Sequence, residues 1–117
     1  MKSIVLDGKE FEIDDECFDL VKYFNEIGLK TISCCSGHNK QNFRIIFDNS
    51  ISDDDISEFL NDKVNKYNHS IFLGKFVKWA RVYSGKIVFS WMYEAEKIGF
   101  AKVDFKRLKQ YDDIINL

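Results

Sequence analysis

The chain has 117 residues, enough for one domain and short for two. Hydrophobic residues make up 45% and charged residues 31%, which supplies one apolar core and excludes an intrinsically disordered chain. A formal net charge of −2 does not predict a global attraction to nucleic acid or to a membrane surface, and no apolar run approaches membrane-spanning length.

The first elements fall out of turn and helix signals. Ser3–Leu6 and Glu10–Ile13 flank Asp7-Gly8, a dipeptide that favours a tight hairpin turn. Asp14 or Asp15 offers an N-cap oxygen for a helix running to about Ile27, whose buried stripe is Phe18, Val21, Tyr23, Phe24 and Ile27. Gly28 is placed to end that helix in the left-handed conformation. A strand over 29–34 follows, then a polar turn, then a strand from Phe43 to Phe47. The connection is too short for a crossover helix, so the pair reads as antiparallel.

Ser52 to Asp55 is an acidic start for a second helix to about Tyr67, with Ile56, Phe59, Leu60, Val64 and Tyr67 inward. Residues 72–93 form a long predicted hairpin turning at Ser84-Gly85. Its apolar residues occupy both alternation classes, so both faces are expected to be covered, one of them by a second subunit. Lys75, Lys78, Arg81 and Lys86 alternate there with Trp79, Tyr83 and Trp91, a mixture that suits base stacking but fits better as core with snorkelling lysines. Asp104 is expected to cap a last helix with Phe105, Leu108, Tyr111 and Ile115 inward. The whole is a single α+β domain over residues 1–117, ordered ββ-α-ββ-α-ββ-α, with a mixed, mainly antiparallel sheet and about three helices packed on it.

Charge is unevenly spread. Residues 1–70 carry 14 acidic and 8 basic side chains, whereas 71–117 carry 5 and 9. A basic face on the second half suits an anionic ligand, the acidic half of another copy, or plain solvation.

The chemistry-bearing groups concentrate in Thr31-Ile32-Ser33-Cys34-Cys35-Ser36-Gly37-His38. Strand alternation sends Cys34 to the core and Cys35 outward, beside Ser36, Gly37 and His38. Ser33, Cys35, Ser36, Gly37 and His38 are the candidate ligand-binding residues. Gly37 lets a ligand approach the backbone, and the N–H groups of such a turn suit phosphate or carboxylate. Cys35 with His38 as base is the candidate catalytic pair. A metal would recruit Cys35 and His38 with Cys17, Cys34 or His69, without the paired Cys-x₂₋₄-Cys spacing of recurring zinc sites. The site is equally compatible with a plain polar loop. Three cysteines, two of them adjacent, make a poor disulfide framework, so the thiols are expected to be reduced and the protein cytoplasmic.

At this motif the chain resembles small proteins of Firmicutes and their phages in which a helix and a short strand lead into a Ser-Cys-x-Gly-His turn. A strong preference for Lys over Arg and the lack of Pro fit such an AT-rich source. More distantly, the motif is similar to the Ser-x-Ser-Cys-Ser-Gly-Arg sequence of tRNA wybutosine-synthesis methyltransferases. Ser33, Cys35, Ser36 and Gly37 match it in place, while Cys34 stands for a serine and His38 for the arginine. That second resemblance spans about residues 14–47, Asn25 included, and implies an S-adenosylmethionine-dependent RNA-modifying enzyme. No residues here are assignable to that cofactor. Three functions follow from the sequence. One is a phage-encoded, homodimeric protein holding an anionic or nucleotide-like ligand at residues 33–38. The others are an RNA-modifying or cysteine/histidine enzyme, and a protein inhibitor of a host defence system.

Overall fold

A computed structural model describes residues 2–6, 8–13, 15–35, 42–65 and 72–115. Two strands, β1 (Lys2–Leu6) and β2 (Lys9–Ile13), pair as a hairpin of their own, and β1 lies against helix α1 (Asp15–Glu26). Strands β3 (Thr31–Cys35), β4 (Phe43–Phe47), β5 (Lys75–Tyr83) and β6 (Lys86–Ala95) form a second sheet in the order β3-β4-β6-β5. Helix α2 (Asp53–Phe59) runs into a π-helical segment at Leu60–Asn65, and α3 (Ile98–Ile115) closes the chain. The α+β order is the expected one. Among the described residues every strand pair is antiparallel, so the sheet is not mixed, and the first hairpin stands apart from it.

Local chemistry explains the boundaries. Gly28 sits at φ +94, which lets Leu29 N–H reach back to the Phe24 carbonyl at 2.8 Å and seal the end of α1. Asn25 then clips that helix to the sheet. Its amide donates to the Val21 carbonyl and to Thr31 Oγ1, and its Oδ1 accepts from Thr31 N–H at 3.1 Å. Ser52 and Asp55 form a reciprocal capping box at the start of α2, as the acidic run predicts.

The core lies between one face of the larger sheet and the helices. Phe24 is fully buried, and its ring meets those of Phe47, Phe59, Phe76 and Tyr93 at centroid distances of 5.1 to 6.3 Å. Aromatic rings supply most of this burial, so a short chain reaches an adequate core. Ile27, placed in the helical stripe by its spacing, falls one residue beyond α1 and is exposed. Among the described residues no helix is long and apolar enough to cross a membrane.

Two expectations fail in instructive ways. Asp104 caps nothing, because α3 begins six residues earlier, at Ile98. Phe100 and Ala101 N–H bond back to the Lys97 carbonyl, a start that no Ser, Thr, Asn or Asp side chain announces. Asp104 is instead completely buried. Its carboxylate accepts from Leu73 N–H and Gly74 N–H, each at 2.7 Å, and from the Tyr93 hydroxyl at 2.6 Å. Burial, and then the adjacent carboxylate, push the Tyr93 hydroxyl far above its ordinary pKa, so it stays a donor. Gly74 is needed there: an added Cβ would run into the Tyr93 ring.

The second failure is the far half of the β5–β6 hairpin. The register with β4 reaches only Met92, opposite Ile46, so among the described residues the outer part of the hairpin is an arm with no third strand. Val82, Tyr83, Ile87 and Phe89 are 77%, 70%, 67% and 55% exposed in the single chain, so no helix of the same chain supplies the expected cover there among the described residues.

Removing the Asp104 carboxylate leaves the buried Tyr93 hydroxyl and two part-buried N–H groups without their acceptor. Asp104→Ala is therefore expected to cost more than about 3 kcal/mol, and Tyr93→Phe about 1–2 kcal/mol, in urea unfolding. Equal, small losses in the two variants would show that the carboxylate does not tie α3 to the sheet.

Candidate functional site

β3 is the strand that leads into the candidate turn, and its register fixes which way the site residues face. Cys34 lies opposite Ile45 and so shares the face of Tyr93 and Phe76, which the helices cover. Ser33 and Cys35 point to the other face, and both are exposed. This alternation is the expected one. Cys34, however, is half-buried and disulfide-bonded, so the expectation of reduced thiols fails at this position; Cys35 is the free, exposed thiol. The Cys34 sulfur is thereby committed and is no thiolate ligand for a metal.

Ser36, Gly37 and His38 lie outside the described residues, as do His69 and the side chain of Cys17. The geometry of a Cys35–His38 pair is therefore not among the observations, and the catalytic and metal readings stay expectations. Among the described residues, no group of three or more His, Cys, Asp or Glu side chains is placed to hold a metal ion. A cavity of about 260 Å³ where the end of α1 meets α2 is rimmed by Asp55, Glu58 and Asp62, with Lys63 beside them. That lining does not suit an anion.

What the structure adds is a row of charge beside the turn. Cys35, Arg44, Glu94 and Lys75 are direct cross-strand neighbours, one from each strand, and so share a single face. Arg44 Nε donates to Glu94 Oε2 at 2.8 Å, and Lys75 Nζ lies 3.5 Å from Oε1 of the same carboxylate. The Glu94 side chain is only 11% exposed, whereas that of Arg44 is 44% exposed. The hydrogen bond from Arg44 leads the interactions that hold the Glu94 carboxyl below the usual carboxylate range, against the opposing effect of burial. Both oxygens of one carboxylate thus engage two cations, and the Arg44 guanidinium is held in place with its terminal nitrogens as remaining donors.

Neither Arg44 nor Glu94 stands out from sequence spacing alone. A usable signal was present nonetheless. Glu94 is the only acidic residue between Gly74 and Ala95, a stretch with four cations, and Arg44 interrupts an otherwise apolar strand. An arginine in the motif itself is what the methyltransferase pattern has and this chain lacks. Arg44 on β4 is the cross-strand neighbour of Cys35.

No curated protein and no solved structure matches the chain, and nothing in the comparisons extends the methyltransferase resemblance beyond the residues that carry it. A protein family does match, that of the YoqC prophage protein, over residues 3–115. A match covering nearly the whole length identifies the chain as a member of the YoqC prophage protein family.

Proposed function

We propose that this phage-type protein is a small binding protein that takes an anionic group at the end of the sheet where β3 meets β4. The observation that carries this reading is the Arg44 guanidinium, held by Glu94 and set directly beside Cys35 on the uncovered face. A guanidinium fixed in this way loses little freedom when it pairs with phosphate or carboxylate. Ser33 is on the same face, and Ser36, Gly37 and His38 follow directly in sequence as further donors. His38 would add a charge that grows as pH falls through its titration range. Cys35 serves in this reading as a neighbour of the ligand rather than as a nucleophile.

The alternative of a protein-binding inhibitor of a host system has one observation in its favour, the exposed apolar tip of the arm. It leaves the Arg44–Glu94–Lys75 row without a role.

Titration with inorganic phosphate and with a mononucleotide, followed by amide chemical shifts, tests the first reading. Shifts should centre on Ser33, Cys35 and Arg44, and Arg44→Ala should weaken binding at least about tenfold, as expected for a lost charge-assisted pair. Undiminished binding in Arg44→Ala and in Ser36→Ala/His38→Ala would contradict it.

Glu94 gives a separate pH prediction. Its folded pKa is depressed, so its contribution is complete above the unfolded carboxylate pKa of about 4.3 and disappears as pH falls through the lower folded value. Thermal midpoints measured from pH 6 to pH 3 should therefore fall less steeply in Glu94→Gln than in the parent protein. Parallel profiles would mean that the ion pair contributes no pH-dependent stability.

A further inference from the structure

The face that holds Arg44 continues along the entire hairpin. Register places Ser33, Ile46, Met92 and Val77 in the next row, then Ser90 opposite Trp79, Val88 opposite Arg81, and Lys86 opposite Tyr83. Among the described residues no helix packs here, because the rings that receive α1 and α2, and the hydroxyl that receives α3, lie on the other face. The charged residues of this face are Arg44, Lys75, Arg81 and Lys86, against Glu94 alone, which two of those cations already engage. The acidic start of α2 meets the opposite face, where Asp53 binds Lys78 and the Trp91 indole N–H. A molecule with a net charge of −2 thus folds so that one sheet face carries a net positive strip.

Planar groups are interleaved with those charges. Along β5 the face reads Lys75, Val77, Trp79, Arg81, Tyr83, a cation–apolar–aromatic–cation–aromatic run over roughly 27 Å of strand. The Arg81 guanidinium lies over the Trp79 ring, 5.9 Å from its centroid, which joins a charge to a stacking surface. Trp79 Nε1 and Ser90 Oγ, directly opposite each other, are sealed from solvent without a hydrogen-bond partner among the described residues. The indole N–H is thus turned away from solvent, while Trp79 as a whole is half-buried. Tyr83 is mostly exposed and ends the run.

We infer that the helix-free face of the β3-β4-β6-β5 sheet is a platform for single-stranded nucleic acid, with phosphates at Arg44, Lys75, Arg81 and Lys86 and bases stacked on Trp79 and Tyr83. Charge complementarity selects a polyanion, and the aromatic spacing selects one whose bases are free to unstack, which a duplex does not offer. This deepens the anion-binding reading, since Arg44 belongs to both.

Fluorescence anisotropy with labelled 16-nucleotide oligo-dT and oligo-rU, at low salt and with the whole chain, tests the inference. At least one oligonucleotide should bind, with log affinity falling against log salt at a slope of about −3, as for roughly four neutralised phosphates on a single strand. Tyr83→Ala and Arg81→Ala, both at exposed positions, should each weaken oligonucleotide binding at least about fivefold while leaving circular dichroism unchanged. No binding of either oligonucleotide, preferential binding of duplex, or binding indifferent to both substitutions would overturn the inference. So would a dimer that buries this face and dissociates on Arg81→Glu. Phosphate binding that depends on Arg44 while both oligonucleotides fail would remove the polynucleotide platform alone; failure of both ligands would remove the anion site as well.

Discussion

A four-stranded sheet has two faces, and among the described residues helices pack on only one. The constraint comes from where the large rings point. Phe43, Ile45, Phe47, Phe76 and Tyr93 alternate onto the same side, and Phe24 on α1 inserts among them. Burying that many rings at once fixes α1 over the sheet, and the sealed Asp104 carboxylate fixes α3 and the chain leading into β5 to the same side. A buried charge is tolerated only when its acceptor capacity is met, so this tie is specific as well as strong. The other face is left with cations, half-buried aliphatic residues and aromatic rings.

That one-sidedness organises the charge. Asp53, at the acidic start of α2, packs against the covered face, whereas four basic side chains from β4, β5 and β6 lie on the other. Composition alone averages these to near neutrality. Folding separates them, which is why net charge is a poor guide to what a small mixed-charge domain attracts. The Arg44–Glu94–Lys75 row shows the same separation locally: one nearly buried carboxylate orients two cations without cancelling both.

Much of this was legible in the residues. The order of elements, the Gly28 stop, the Ser52 cap and the Ser84-Gly85 turn all rest on short-range chemistry, and short-range chemistry is what a sequence states directly. The alternation that turns Cys35 outward and Cys34 inward was legible for the same reason. Asp104 was not, because an acid at helical spacing reads as a cap unless the distant N–H groups of Leu73 and Gly74 are known to lie beside it. The row of Cys35, Arg44, Glu94 and Lys75 depends on pairings between residues up to 50 positions apart, and no local pattern encodes that register. Nor does sequence tell how far β4 extends along β6, which decides that Tyr83 and Phe89 are arm residues and not core.

The most direct measurement is a methyl-detected NMR titration of the protein with single-stranded oligonucleotide. The account predicts that Ile46, Val77, Val88 and Met92, on the uncovered face, shift together, while Leu20, Ile56 and Leu108 in the covered core stay fixed. Shifts confined to other surfaces, or none at all at concentrations that saturate a weak site, would contradict the claim that this face is where the protein meets its ligand.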